Sequence, residues 1–415
     1  MAEMDTPRLL VFSSLFPKVV QPFAGVFIRE RMFRVGKVLP IVVVSPVAWF
    51  PLQGLMRFFK PHYRPMPPKY ETQDGVAVFH PRFLSVPSLF RSLDGFMMAL
   101  ACWPTLRRIK RDFGFNIIDA HFAYPDGYAA TWLGRWFGVP VTITLRGTEM
   151  RHAQSPALRH RMIMALQRAT KVFSVSESLK HHAVSLGIQA DKIQVVGNGV
   201  DLKKFHPENK QSSRQKYSLS ETAPVLISVG GLVERKGFHR VLDCLPALRE
   251  QFPDIRYLIV GGASPEGDMR AELEARVLRL GLSDNVKFLG AIPSADLRWP
   301  LSAADVFVLA TRNEGWANVF LEAMACGLPV VTTDVGGNRE VVCRDALGMV
   351  VPFGDQVALR SAMTTALSNS WDRSAIQAYA TDNSWTQRVD ALVQTFQRLH
   401  SNETRDAHEL SRAGR

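Results

Sequence analysis

Short runs of apolar, largely β-branched residues alternate with longer amphipathic stretches along most of this chain. RLLVFSS, PIVVVSP, VAVFHP, NIIDAHF, VPVTITL, KVFSVS and KIQVVGN are apolar at successive positions, as strands buried on both faces of a parallel sheet are. Helical patterns stand between several of them, including SLDGFMMALACWPTLRRIKRDF and DGYAATWLGRWFG, the second stopped by a glycine and a nearby proline. The alternation breaks at NGVDLKKFHPENKQSSRQKYSLSETAP, a polar stretch without a period. It then resumes with PVLISVG, KGFHRVLDCLPALREQF, IRYLIVGG, VKFLGAI, ADVFVLA, LPVVTT and GMVVP. Alternating β and α elements predict parallel sheets covered by helices.

The reading is therefore α/β, with two doubly wound, Rossmann-like domains. The first spans 1–200, a linker 201–221, and the second 222–380. A final helix around SWTQRVDALVQTFQRLH occupies 381–400, and the polar tail 401–415 is expected to be disordered. A length of 415 residues agrees with two domains, since single cores stop growing beyond about 250–300 residues. Ligands bind open α/β sheets outside the C-terminal ends of their strands. With two such domains facing across a cleft, the functional residues are expected to follow strands.

Net charge is +12, which favours an anionic partner: nucleic acid, anionic lipid or a phosphorylated substrate. The four cysteines, Cys102, Cys244, Cys326 and Cys343, are scattered and show no metal-binding spacing. With no apolar run long enough for a membrane helix, and Glu3 and Asp5 ahead of RLLVFSS rather than a basic leader, a cytoplasmic location is expected.

Candidate chemistry concentrates in the second half. Gly230 and Gly231 follow LISV directly, and Arg235 and Lys236 come next. Glycines allow close backbone approach, and cations beside a helix start make an anion site; taken alone, such a stretch is also compatible with a solvated basic turn. Further on, Glu314 follows the strand ADVFVLATR, and Glu322 lies about two turns into GWANVFLEAMACG. Glu314 taken alone fits a helix cap, and Glu322 a surface charge. Glu322 sits among Val319, Phe320, Ala323 and Met324, where a solvated acid is less expected and a ribose diol is a suitable partner. The backbone at Asn318, Val319 and Phe320 offers N–H groups to a diphosphate or hexose.

GGLVERKG and EGWANVFLEAMACGLPVVTTDVGG resemble glycosyltransferase family 4, also called glycosyltransferase group 1, a GT-B-fold family. The wording GWANVFLEAM is similar to enzymes of polysaccharide and teichuronic acid assembly. The resemblance implies a retaining hexosyltransferase in which Arg235 and Lys236 bind the donor diphosphate, Glu314 contacts the hexose and Glu322 binds the ribose. It implies a catalytic-centre histidine, matched by His121 after NIIDA, and a glycine-containing loop after the first strand, matched by Gly25. Arg146, in TLRGTE, stands where many relatives have histidine, and a donor or acceptor phosphate would suit it. Asp126 fits a helix cap. The nucleotide sugar, UDP-linked by resemblance, is a co-substrate. No cofactor and no metal are expected, the two cations standing in for Mg²⁺.

The segment AWFPLQGLMRFFKPHYRPMPPKY mixes Trp49, Phe50, Leu55, Met56, Phe58 and Phe59 with Arg57, Lys60 and Arg64. An interfacial contact with an anionic membrane and a loop packed on the core both fit it. A lipid-diphosphate-linked or saccharide acceptor would suit the first. Rival readings are a UDP-sugar 2-epimerase of the same fold, a basic nucleic-acid- or membrane-binding protein, and a silent scaffold. The first lacks this glutamate spacing, the second lacks any nucleic-acid motif, and the third has no reason to keep every matched residue type.

Overall fold

The computed structural model describes residues 6–22, 24–51, 53–59, 64–86, 90–264 and 266–413, with backbone alone for Arg57, Phe59 and 402–413. The chain divides into two compact units, residues 1–198 with 386–415, and residues 199–385.

In the first unit, β1 (Leu9–Phe12), β2 (Ile41–Val44), β4 (Tyr70–Gln73), β5 (Val76–Phe79), β7 (Ile117–His121), β8 (Val141–Leu145), β9 (Lys171–Ser174) and β10 (Ile193–Val195) form one sheet. Its order is β10-β9-β8-β7-β1-β2-β5-β4. All pairs are parallel except β4 with β5. β1, β2, β7 and β8 are buried at every position, which is why LLVF and IVVV of β1 and β2 are continuously apolar rather than alternating. The antiparallel pair turns at Asp74 and Gly75, both at positive φ (47° and 82°), the geometry that favours Asp-Gly in two-residue hairpins. A separate two-stranded ladder joins β3 (Val47–Trp49) to β6 (Arg82–Leu84).

The second unit holds β11 (Val225–Val229), β12 (Arg256–Val260), β13 (Val286–Gly290), β14 (Val306–Leu309), β15 (Val330–Thr333) and β16 (Gly348–Val351), all parallel in the order β13-β12-β11-β14-β15-β16. One core packs Ile227, Leu258, Phe307 and Leu309 against Phe320 and Met324 of the helix Asn318–Ala325. On the other side, Tyr257, Ile259 and Val308 pack against Val241 and Leu245 of the helix Phe238–Gln251. Each such fully buried side chain contributes roughly 1.5–3 kcal/mol.

Two expected boundaries differ. The stretch 201–221, read as a linker, belongs to the second unit and contains a helix, Lys210–Lys216. Its seven residues are too few to show a period. What fixes it is the Asn209 side chain, which accepts from the Ser212 N–H at 2.9 Å, and a buried Arg214. The last helix runs from Trp385 to Ala413, so 401–413, expected to be disordered, continues it. From Thr386 onward it belongs to the first unit. There Phe396 meets Phe173 edge-on at 5.7 Å and Thr395 donates to Gln194 at 3.0 Å.

Candidate active site

In the second unit the predicted cations and first glutamate come together. β11 and β14 are neighbours, so the loops after their C-terminal ends lie side by side. After β11, Glu234–Lys236 form a single 3₁₀ turn and the helix starts only at Phe238. Lys236, the first residue of the stretch KGFHRVLDCLPALREQF, thus stands two residues ahead of the helix. Thr311 Oγ1 and the Arg312 N–H both donate to the Arg235 carbonyl, at 3.0 and 2.7 Å, which stitches the two loops together. Gly237, at φ +77°, closes the turn against β14: a Cβ there would lie 1.9 Å from the Ala310 carbonyl oxygen.

The carboxylate of Glu314 is the centre of this arrangement. It accepts a short hydrogen bond from Lys236 Nζ and one from Arg235 Nη1 at 3.1 Å, with Thr311 Oγ1 3.4 Å away. Gly336, at φ +54°, backs the Glu314 main chain so closely that a Cβ would lie 1.7 Å from its carbonyl oxygen. That glycine stands in the TTDVGG run and carries no chemical group, so only the contact identifies it. Arg235 has a second anion: Nε and Nη2 donate to the two carboxylate oxygens of Glu266 at 2.7 and 2.8 Å. Glu266 lies in the loop after β12 and gave no signal in the sequence.

Gly230 donates its N–H to the Val260 carbonyl at 3.0 Å, and Gly231 faces the Ser264 side chain. The helix Asn318–Ala325 places Glu322 half-buried one turn from Cys326, whose thiol is pushed up to about 12 by burial and by this carboxylate. Of the three backbone groups at the helix start, the N–H of Phe320 is taken by the Ala317 carbonyl at 3.1 Å, and its ring is in the core.

In the first unit, His121 ends β7 and is fully buried. Its Nδ1 accepts from Arg146 Nη2 at 3.1 Å and Nε at 3.3 Å. An imidazole nitrogen that accepts carries no proton, so the proton of neutral His121 sits on Nε2, 3.5 Å from Asp119 Oδ2. Burial, then the positive charges of Arg146 and Arg31, push the His121 pKa well below its usual range. His121 is therefore a neutral donor and not an acid or base near pH 7. Below about pH 6.5 the unfolded chain protonates this ring while the folded one does not, so its contribution to stability is lost as pH falls. The expected ¹⁵N spectrum shows the Nε2–H tautomer unchanged from pH 8 to pH 6; a midpoint at or above the ordinary value would refute the assignment.

Arg146 also lies over the Phe27 ring at 5.0 Å and donates to Asn198 Oδ1 at 3.3 Å. Its loop is held by buried Glu149, which accepts the N–H groups of Gly147 (2.7 Å), Arg146 (3.2 Å) and Ala123 (3.3 Å). Glu149 was missed because a carboxylate bonding backbone has no side-chain partner to betray it. Asp126 does not cap the following helix, which starts without a side-chain cap. It binds Ser14 instead, through the N–H and through Oγ at 3.0 Å, and burial raises its pKa to about 6. This ties it to the loop after β1, where Gly25 packs against the Leu15 carbonyl. In the aromatic segment, Leu55, Met56 and Phe58 of the helix Gln53–Phe59 are exposed, Phe58 at 83%. Lys60 and the side chains of Arg57 and Phe59 lie outside the described residues. Among the described residues no helix is long and apolar enough to cross a membrane, and no group of three or more His, Cys, Asp or Glu is placed to share a metal ion.

Two family models match the chain, Glycosyltransferase Family 4 over residues 58–204 and Glycosyl transferases group 1 over residues 209–383. TuaC of Bacillus subtilis (strain 168), a glycosyltransferase assigned provisionally to teichuronic acid biosynthesis, is 27% identical over 367 residues, 86% of this chain and 88% of TuaC. A D-inositol 3-phosphate glycosyltransferase of Corynebacterium urealyticum is 30% identical over 317 residues, 70% of this chain and 73% of that protein. Among solved structures, HepE of Anabaena in complex with UDP and glucose superposes with a TM-score of 0.70 at 20% identity, covering 94% of this chain and 99% of HepE. With its two largely parallel sheets and their loops arranged as above, the chain has the GT-B fold and belongs to the glycosyltransferase group 1 family, family 4 of the glycosyltransferases.

Proposed function

We propose that this glycosyltransferase transfers a hexose from a UDP-sugar, with retention, to a lipid-diphosphate-linked or saccharide acceptor in the assembly of a cell-surface polysaccharide. The observation that carries the reading is the union of Arg235, Lys236 and Glu314 at the ends of β11 and β14. Two cations match a diphosphate, and a carboxylate held between them matches sugar hydroxyls. In this reading the anomeric bond to the diphosphate breaks as the acceptor oxygen approaches the same face. The leaving phosphate takes the acceptor proton, and Arg235 and Lys236 stabilise the charge that grows on it. No metal is needed, since the two side chains supply the positive charge. His121, held neutral at the end of β7, enters beside the transferred sugar, and Glu322 as the ribose acceptor.

UDP is favoured because HepE is described with UDP and with UDP-glucose. The polysaccharide acceptor is favoured by TuaC. Action on the cytoplasmic face of the membrane is supported by the exposed Leu55, Met56 and Phe58 and by the net charge of +12, which suits an anionic leaflet.

Calorimetry with UDP, GDP and ADP tests the donor half. UDP is expected to bind, and Glu322→Ala to weaken it about 10–100-fold, the worth of a charged hydrogen bond. Binding of GDP in place of UDP would reassign the nucleobase. An inverted anomer in the product, read by NMR, would overturn the retaining mechanism.

A further inference from the structure

We propose that Glu266 is a resident counter-anion that the donor diphosphate must displace from Arg235, and that it thereby sets how tightly the spent nucleotide is held. The inference rests on the donor-site reading above. Glu266 pairs with Arg235 through two parallel hydrogen bonds of 2.7 and 2.8 Å, the bidentate geometry in which a guanidinium binds carboxylate or phosphate most strongly. Those two donors are the ones a phosphate would take. Hydrogen bonding to Glu266 is also the largest of the influences that raise the Arg235 pKa.

The loop that carries Glu266 is built to hold it there. Ser264 and Gly267 exchange backbone hydrogen bonds of 2.9 and 3.0 Å, and the Glu266 N–H donates to Ser264 Oγ at 3.2 Å. The loop is anchored to the one after β11 by Leu232 N–H to the Gly262 carbonyl (2.9 Å) and Met269 N–H to the Leu232 carbonyl (2.7 Å). A carboxylate so placed on the same side of the sheet as the cations is returned to Arg235 whenever a phosphate leaves.

The exchange matters most after transfer. The sugar ester on the distal phosphate is then replaced by a free oxygen that ionises with a pKa of about 6. The spent nucleotide is thus more anionic than the donor and would be held more tightly by Arg235 and Lys236. Glu266 opposes this by competing for one of the two. Glu314 is shared between Lys236 and Arg235, so Glu266 is the carboxylate that competes through Arg235 alone.

The test is the affinity of UDP, with GDP and ADP alongside, for the wild type, Glu266→Gln, Arg235→Ala and the double variant, by calorimetry. The expected result is that Glu266→Gln tightens UDP about tenfold, a fold-change in the range measured for close charge pairs. In the Arg235→Ala background the same change should alter affinity less than twofold. Glu266→Ala, at this exposed position, should behave as Glu266→Gln does. If a nucleotide binds the wild type but Glu266→Gln leaves its affinity unchanged or weaker, the counter-anion role is wrong and the donor site stands. Equal tightening in both backgrounds also overturns it, since Glu266 would then act as a general field and not through Arg235. If none of the three nucleotides binds either protein, the donor-site reading fails and takes this inference with it.

Discussion

Lys236→Ala is expected to lower kcat by about 10²–10³ while leaving the melting temperature within about 2 °C of the wild type. The magnitude is that of removing one preorganised donor from a developing negative charge, about 2.7–4 kcal/mol. The effect should fall on kcat more than on KM, because the charge on the leaving diphosphate is larger in the transition state than in the bound donor. Stability is spared for a local reason. Removing Lys236 leaves Glu314 with Arg235 at 3.1 Å and Thr311 at 3.4 Å. The turn itself is held by backbone hydrogen bonds, Lys236 N–H to the Val233 carbonyl and Gly237 N–H to that of Glu234, at 3.1 and 3.2 Å. Near-full kcat with a native melting curve would remove Lys236 from the chemistry. Steady-state kinetics beside a thermal melt decides it.

The sheet strands were legible because strands covered on both faces are short, largely apolar and β-branched runs bounded by polar or turn residues. RLLVFSS and ADVFVLA became β1 and β14 for this reason. The three-residue ladder of Val47–Trp49 with Arg82–Leu84 was not legible, since partners some 35 positions apart are joined by tertiary packing and not by pattern. The helix Lys210–Lys216 was hidden by its polarity; its one inward side chain that matters, Arg214, is the type least expected inside.

The candidate site divides along the same line. Arg235, Lys236 and Glu314 were readable as a cluster because residues that follow parallel strands share one end of the sheet. Glu266 and Gly336 were not, because each acts through one contact with a residue far off in sequence, Arg235 in one case and the Glu314 backbone in the other. His121 was readable as a position, but its protonation state depends on Arg146, 25 residues on. The sequence of TLRGTE suggests a phosphate ligand, whereas the folded chain turns that guanidinium onto an imidazole and an aromatic ring.

At the opposite ends of β11 and β14, Asp305→Ala is expected to destabilise the second unit by about 3 kcal/mol without lowering the turnover of the molecules that remain folded. Asp305 immediately precedes β14, and its carboxylate accepts from three groups: Lys210 Nζ at 2.6 Å, Arg214 Nη2 at 2.8 Å and the Val225 N–H at 2.8 Å, with the Arg373 guanidinium 3.8 Å away. Arg214 is only 3% exposed, and its other donors reach the carbonyls of Ala303, Ser220 and Glu221. Alanine would leave that guanidinium buried without its carboxylate, and breaking such a pair costs about 3–5 kcal/mol. The lower end applies because Asp305 is itself 21% exposed. For a unit of this size each kcal/mol moves the midpoint by about 2–4 °C, so a fall of about 6–12 °C is expected. Asp305→Asn, which keeps an acceptor for the Val225 N–H, should fall between the two. The five residues of β11 hold the two ends roughly 16 Å apart, which is why the two substitutions should have opposite signatures. Lys236→Ala loses turnover and keeps its melt, and Asp305→Ala loses its melt and keeps turnover below the transition. A melting temperature unchanged within 1 °C in Asp305→Ala would show that Arg214 does not depend on this carboxylate.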